Sequence, residues 1–117
     1  MQVKCDGGGT TSISGRVFED VNYGGGGGRD FATSSGVARS SARVELYDAT
    51  GTYAAATTTD ASGNYSFGPI AVGNYVVRVV SGTVTSSRTG YIAGLLPVLT
   101  YRTTATTGSA APVTDHV

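Results

Sequence analysis

Short segments of alternating polar and apolar residues, separated by turn-forming residues, follow one another through residues 42–80. In the first segment Val44 and Leu46 point to one side, and Arg43, Glu45 and Tyr47 to the other, which is the period of two of a half-buried β-strand. Strands this short and closely spaced are typical of a β-sandwich or a β-barrel. The pattern predicts strands at residues 42–48, 52–59, 65–67 and 75–80, with turns at 48–51, 60–64 and 68–74.

The sequence also predicts the backbone conformation or the surroundings of three residues at these turns. Gly63 stands where a tight hairpin needs a positive φ, and Gly73 repeats the device. Tyr75 enters its strand directly after a turn, so we expect its ring to be buried and its hydroxyl to be hydrogen-bonded.

The chain before residue 42 is predicted to contain one strand and one long excursion. Ile13, Gly15 and Val17 alternate with polar residues and predict a first strand. Five consecutive glycines at positions 24–28 lose too much backbone entropy to lie inside a strand, so residues 19–42 are predicted to form a long loop. The glycines near the start predict a flexible leader at residues 1–10, ahead of a single β-sandwich domain at 11–117.

Regular structure is less evident in the C-terminal third. Residues 83–87, 97–107 and 113–117 predict short strands, and a helical turn is expected near 91–96. Within the whole chain, the predicted core consists of Ile13, Val17, Val44, Leu46, Tyr65, Phe67, Tyr75, Val77 and Val79.

Charge and apolar content restrict the function. Lys plus Arg equals Asp plus Glu, at 8 each in 117 residues, so the chain has no basic field for nucleic acid. The longest apolar stretch, residues 91–99, is interrupted by Gly94 and Pro97 and predicts no membrane span. A chain with 18 Gly, many Ser and Thr and only 14% charged residues is typical of secreted and surface-exposed proteins.

Four sequence blocks resemble a known family in their order and spacing. They are SGRVFEDVN at residues 14–22, ARVELYD at 42–48, TTDASGNYSF at 58–67 and VGNYVVRV at 72–79. The blocks resemble the SdrD B-like and Cna-B-like modules of bacterial surface proteins over residues 13–80. This resemblance implies an all-β, antiparallel, Greek-key sandwich of transthyretin-like or immunoglobulin-like type with about seven strands. It also implies an extracellular or cell-surface location.

The family often carries an acidic calcium loop after the first strand, and the candidate ligands here are Glu19, Asp20, Asn22 and Asp30. Calcium prefers six to eight oxygen ligands, several of them from carboxylates. Glycines occupy the positions between these residues where further acidic side chains would stand. The alternative interpretation is that Asp20 and Asn22 hydrogen-bond the backbone of a turn.

Other reactive residues are few. Cys5 is the only cysteine and predicts either an intermolecular disulfide or an idle thiol. Many Cna-B modules form a Lys–Asn isopeptide bond, but the only lysine, Lys4, lies outside the first strand. His116 is the only histidine, and no catalytic triad, P-loop, dinucleotide-binding fingerprint or zinc spacing is present, so we expect no enzyme.

These observations favour a non-enzymatic structural module that acts as a spacer, an adhesive unit or a filament subunit. Its expected partners are copies of itself or neighbouring domains of a longer surface protein, joined by β-strand contacts. The alternative is a ligand-binding module for host or matrix glycans or proteins. The tyrosines available for stacking on a sugar ring are Tyr23, Tyr47, Tyr53, Tyr91 and Tyr101.

Overall fold

The computed structural model describes residues 9–21, 31–32, 34–94, 99–101 and 111–113. Strands dominate the described residues, and the only helix among them is a single 3-10 turn. The strands are β1 (Thr10–Arg16), β2 (Phe18–Glu19), β3 (Val37–Ala38), β4 (Arg43–Asp48), β5 (Tyr53–Thr58), β6 (Asn64–Ala71), β7 (Tyr75–Val79), β8 (Leu99–Tyr101) and β9 (Ala111–Val113).

Two antiparallel sheets form the sandwich, as predicted. One contains β1 and β6, and the other has the order β5-β4-β7. The chain therefore passes from one sheet to the other after β5 and returns with β7 on the far side of β4. The pairs β2–β3 and β8–β9 are separate two-stranded ribbons. Five of the nine described strands build the sandwich, where about seven were expected.

The core lies between the inner faces of these sheets. Val44, Leu46 and Phe67 are buried, and the other six predicted core residues pack against them in partly buried positions. Ala55 and Ile70 join this layer and were not predicted. Two further buried apolar residues, Ala42 and Val84, flank β4 and the 3-10 turn.

Glycine at position 15 leaves room for an aromatic ring on the neighbouring strand. Gly15 pairs with Tyr65 across the β1–β6 ladder, and the Tyr65 ring lies where a Cβ of residue 15 would project. Burial among these residues raises the pKa of the Tyr65 phenol. A strand residue without a side chain therefore provides the space for a large aromatic ring.

Two turns use the same Asp-x-x-Gly device, one in the β4–β5 hairpin and the other in the connection from β5 to β6, which lie in different sheets. Gly51 N donates to Asp48 O, and Gly63 N donates to Asp60 O, at 3.0 and 2.9 Å. The Asp side chains accept further backbone N–H groups within each turn. Gly51 and Gly63 adopt φ of 85° and 76°, so the predicted positive φ of Gly63 is confirmed. The expectation that its turn forms a hairpin is wrong, because β5 and β6 do not pair.

The turn before β7 differs from its prediction. Gly73 does not adopt a positive φ, so the expectation that it repeats the Gly63 device is wrong. The predicted turn at 68–74 is also too long, because β6 continues through Gly68 and Pro69 to Ala71, with one extra residue at its register shift against β1. The Tyr75 hydroxyl donates to Ala71 O at 2.6 Å, as expected, with its ring partly buried.

The predicted loop at 19–42 contains structure at both described ends. β2 pairs with β3, and the Phe18 and Phe31 rings meet edge to face at 5.3 Å. The Arg16 guanidinium lies 4.3 Å from the centre of the Phe31 ring. These aromatic contacts fasten the returning chain to the end of β1, which alternation along the sequence did not reveal.

The prediction of a strand at 83–87 is wrong. A 3-10 turn (Ser81–Thr83) leads into an extended segment that hydrogen-bonds mainly through side chains. The Thr83 hydroxyl accepts Arg43 N at 2.9 Å, and the Thr85 hydroxyl accepts Arg39 Nη1 at 3.2 Å. Ser and Thr side chains compete with ladder formation in this way, so the segment crosses the end of the sandwich without becoming a strand.

Candidate functional site

The outer face of the β5-β4-β7 sheet carries the most pronounced group of charged and aromatic side chains in the described chain. Alternation along β4 turns Arg43, Glu45 and Tyr47 to this face, while Val44 and Leu46 enter the core. Tyr53 on β5, and Val76 and Arg78 on β7, complete what we call the outer-face cluster. In the sheet register Tyr47 lies opposite both Tyr53 and Val76, and Glu45 lies opposite Arg78.

A β-bulge explains why Tyr53 belongs to this cluster. The register places Leu46 opposite Ala55 but Tyr47 opposite Tyr53, so β5 contributes one extra residue at this point. Without the bulge, strict alternation from Ala55 would turn Tyr53 toward the core. With it, the Tyr47 and Tyr53 rings lie edge to face, 6.0 Å between centres.

Glu45 is the anion at the centre of the cluster. One carboxylate oxygen accepts the Tyr47 hydroxyl at 2.6 Å, and the other accepts Arg43 Nε at 2.8 Å. These hydrogen bonds, first from Tyr47 and then from Arg43, lower the pKa of Glu45. The same contacts raise the pKa of the Tyr47 phenol and of the Arg43 guanidinium. Glu45 therefore stays ionised near neutral pH and fixes both of its neighbours.

The rim of the cluster is open to solvent. The Arg78 guanidinium lies 5.0 Å from the Tyr47 ring centre, in cation–π contact. Tyr53 and Val76 are each 53% exposed, on either side of Tyr47. An exposed phenol ring beside guanidinium groups can stack on a flat ligand surface and donate hydrogen bonds to it.

Sequence alternation had placed Arg43, Glu45 and Tyr47 outward, and Tyr47 and Tyr53 among the tyrosines available to a ligand. The structure brings those two tyrosines together. Tyr91 is partly buried at a turn after Arg88 and makes no ring contact with them in the described chain. Val76 and Arg78 were missed, although their alternation along residues 75–79 was the available signal.

The candidate calcium ligands are only partly described. Both Glu19 carboxylate oxygens accept hydrogen bonds from the protein: one from the Ser86 hydroxyl, the other from Ser87 N at 2.9 Å and the Ser87 hydroxyl at 2.7 Å. Burial raises the pKa of Glu19, but these hydrogen bonds outweigh it and leave the pKa lowered. In the described structure Glu19 therefore serves as a hydrogen-bond acceptor for Ser86 and Ser87. Asp20 lies beside it, and Asn22 and Asp30 lie outside the described residues.

Several other predicted residues also fall outside the described part of the chain. They are Lys4, Cys5, Tyr23 and His116, and the side chain of Tyr101. Among the residues that are described, no three His, Cys, Asp or Glu side chains come together as a metal-binding group. Within the same residues, no helix is long and apolar enough to cross a lipid bilayer.

The outer edge of β5 borders an open groove of about 640 Å³. Thr57 and Thr58 line one side of it, and the opposite walls come from the paired ends of β1 and β6, including Arg16 and Asn64. Arg16 Nε donates to Asn64 Oδ1 at 3.3 Å across this wall. The groove leaves the last residues of β5 accessible from the side.

The comparisons with known proteins agree with this architecture. Residues 11–94 match the family model described as SdrD B-like domain, which extends the resemblance noted for residues 13–80. No curated protein and no solved structure matches the chain.

Proposed function

Because the chain belongs to the SdrD B-like domain family, a family of structural domains of bacterial surface proteins, we propose that it is a non-enzymatic spacer and adhesive unit outside the cell. It joins neighbouring domains, or further copies of itself in a filament, through contacts between β-strands. This function requires a stable sandwich with at least one accessible strand edge, and it requires no cofactor.

The observation that carries the proposal is the open construction of the two sheets. Among the described strands, β5 and β7 each pair on one side only, with β4, and β1 and β6 pair only with each other. A strand that pairs on one side only presents unpaired N–H and C=O groups on its other side. An added strand can form hydrogen bonds with these groups. The zero formal net charge supports the proposal as well, since copies of the domain do not repel one another through a net charge.

Electron microscopy tests the proposal. We expect a tandem fusion of several copies to form rods whose length increases in proportion to the number of copies, because a spacer transmits its own length. Single copies, imaged with and without calcium, reveal whether strand contacts extend to filaments. Fused copies that collapse into one compact particle would contradict the spacer function.

A second candidate function is the binding of a carbohydrate or protein ligand by the outer-face cluster. The observation that favours it is the exposed Tyr53 ring beside Tyr47, with Arg43 and Arg78 close by. A glycan array probed with the wild-type chain and with Tyr53→Ala tests this function. Binding that disappears with Tyr53→Ala supports it, and an array without signal removes it for glycans.

A further inference from the structure

Among the described strands, the unpaired outer edge of β5 differs from the other edges of the sandwich. Natural sheets protect their edges with charged residues, prolines and bulges. β1 carries Arg16, β6 contains Pro69 and one extra residue at its register shift against β1, and β7 carries Arg78. β5 has the sequence YAAATT, which contains no charged residue and no proline, and its bulge lies at the Tyr53 end.

The backbone groups that β5 presents to solvent follow from its hydrogen bonds. Thr59 directs its N–H to Ala42 O and accepts Ser41 N, both at 3.0 Å, so its backbone faces the β4 side. Successive residues of a strand alternate in the direction of these groups. Thr57 and Ala55 therefore face β4, whereas Ala56 and Thr58 direct their N–H and C=O groups away from it. This alternation ends at the bulge formed by Tyr53 and Ala54.

We propose that two copies of this chain pair through the outer edges of β5, antiparallel about a two-fold axis at Ala56. Ala56 then exchanges both of its backbone hydrogen bonds with Ala56 of the partner subunit, and Thr58 at each end lies opposite Ala54 of the partner subunit, at the bulge. The result is one continuous six-stranded sheet. This inference rests on the proposed function and names one edge and one partner for it.

The side chains of β5 favour a second copy as the partner, because a small and uncharged edge is complementary to itself in this register. Arg43 lies opposite Thr58 within its own sheet, and Thr58 meets Ala54 of the partner subunit, next to the partner's Tyr53. The Arg43 guanidinium is held within its own subunit, by Glu45 at 2.8 Å and by Tyr53. Only small uncharged residues therefore meet at both ends of the interface. The residues at the centre are alanines, which bring no like charges together.

The groove beside Thr57 and Thr58 leaves room for the approach of a second strand. An edge-to-edge contact buries less surface than a standard stable interface of roughly 1,200–2,000 Å². We therefore expect a weak dimer, with a dissociation constant of about 10 μM to 1 mM.

Sedimentation equilibrium of the wild-type chain up to about 1 mM tests the pairing. The weight-average mass is expected to rise with concentration toward twice that of the monomer. Ala56→Lys places two ammonium groups together at the two-fold axis, and in the monomer the introduced ammonium group faces Glu45. This substitution should therefore weaken association at least about tenfold without loss of folding. Val76→Lys, which adds the same charge to the same face at the β7 edge, is the matched control and should leave association unchanged.

Disulfide trapping gives an independent readout. In a Cys5→Ser background, Ala56→Cys should form a covalent dimer, because paired residues of this kind lie about 5.5 Å apart between Cα atoms, within disulfide range. Val76→Cys in the same background should remain monomeric.

Three results would overturn the inference. The first is a wild-type chain that stays monomeric at all concentrations; the spacer function is then judged separately by the length of the fused copies. The second is association that Ala56→Lys does not weaken. Strand contacts between copies would then remain possible, but at an edge other than that of β5. The third is equal trapping by the Ala56→Cys and Val76→Cys variants.

Discussion

Alanine at position 63 should be far more harmful than alanine at position 51, although both positions are turn glycines with positive φ. An L-residue in the left-handed region costs roughly 1–2 kcal/mol, and this cost is common to both substitutions. An added Cβ at Gly51 meets no atom within 4 Å. At Gly63 it would overlap the Val17 carbonyl oxygen and come within 3.3 Å of Arg39 N and Ala38 Cβ.

The difference in cost comes from the hydrogen bonds around Val17. Val17 N donates to Gly63 O at 2.8 Å, and Val17 O accepts Arg39 N at 3.0 Å. Displacing the Val17 carbonyl weakens both bonds, each with a net value of about 0.5–1.5 kcal/mol. Gly63→Ala should therefore cost about 1–3 kcal/mol more than Gly51→Ala, or about 4–12 °C more in Tm.

Urea unfolding followed by far-ultraviolet circular dichroism measures both variants against the wild type. Substitution by asparagine separates the cost of the left-handed backbone conformation from the cost of the steric overlap, because asparagine tolerates the left-handed region better than alanine does. Gly51→Asn should be nearly neutral, whereas Gly63→Asn should remain destabilising. Equal free energies of unfolding for the two alanine variants, within about 0.5 kcal/mol, would refute the steric reasoning.

Three further predictions concern a buried hydroxyl, two ionised carboxylates and calcium binding. Thr59→Val should lower the free energy of unfolding by about 1–3 kcal/mol, since the buried Thr59 hydroxyl donates to Arg39 O and accepts Ala42 N; the exposed Thr58→Val is its control, and equal unfolding midpoints would contradict it. Glu19 and Glu45 have pKa values below their ordinary 4.5, so the stability they contribute is present above pH 4.5 and is lost as the pH falls through their folded-state values; a Tm constant down to pH 3 would contradict this. Calcium binding near residues 19–30 predicts a Tm that rises with millimolar calcium and falls again with a chelator; an unchanged Tm would leave Glu19 as a structural acceptor for Ser86 and Ser87.

The core was predictable because it depends on a period that the sequence displays directly. Val44 and Leu46, or Tyr65 and Phe67, are two residues apart, and a strand sends both members of each pair to the same face. All nine predicted core residues pack in the central layer. The turn at Gly63 was predictable for a similarly local reason, since the Asp-x-x-Gly device lies within four residues.

The segment after β7 was mispredicted because its partners are far away in the sequence. Thr83 hydrogen-bonds near the start of β4, and Ser86 and Ser87 hydrogen-bond Glu19, which lies 67 and 68 residues earlier. β-Branched residues at 83–85 suit a strand locally, but tertiary contacts through their hydroxyls override that preference.

By itself the sequence determined the class of fold, the inward faces of its strands and the family to which the chain belongs, because alternation, turn chemistry and motif spacing are local properties. The tertiary structure alone decided which outward residues meet. A bulge of one residue in β5 brings Tyr53 to Tyr47, and the pairing of β4 with β7 brings Arg78 over the same ring. Register and strand order depend on contacts between distant segments, so the outer-face cluster and the free edge of β5 emerge only when the sheets are assembled.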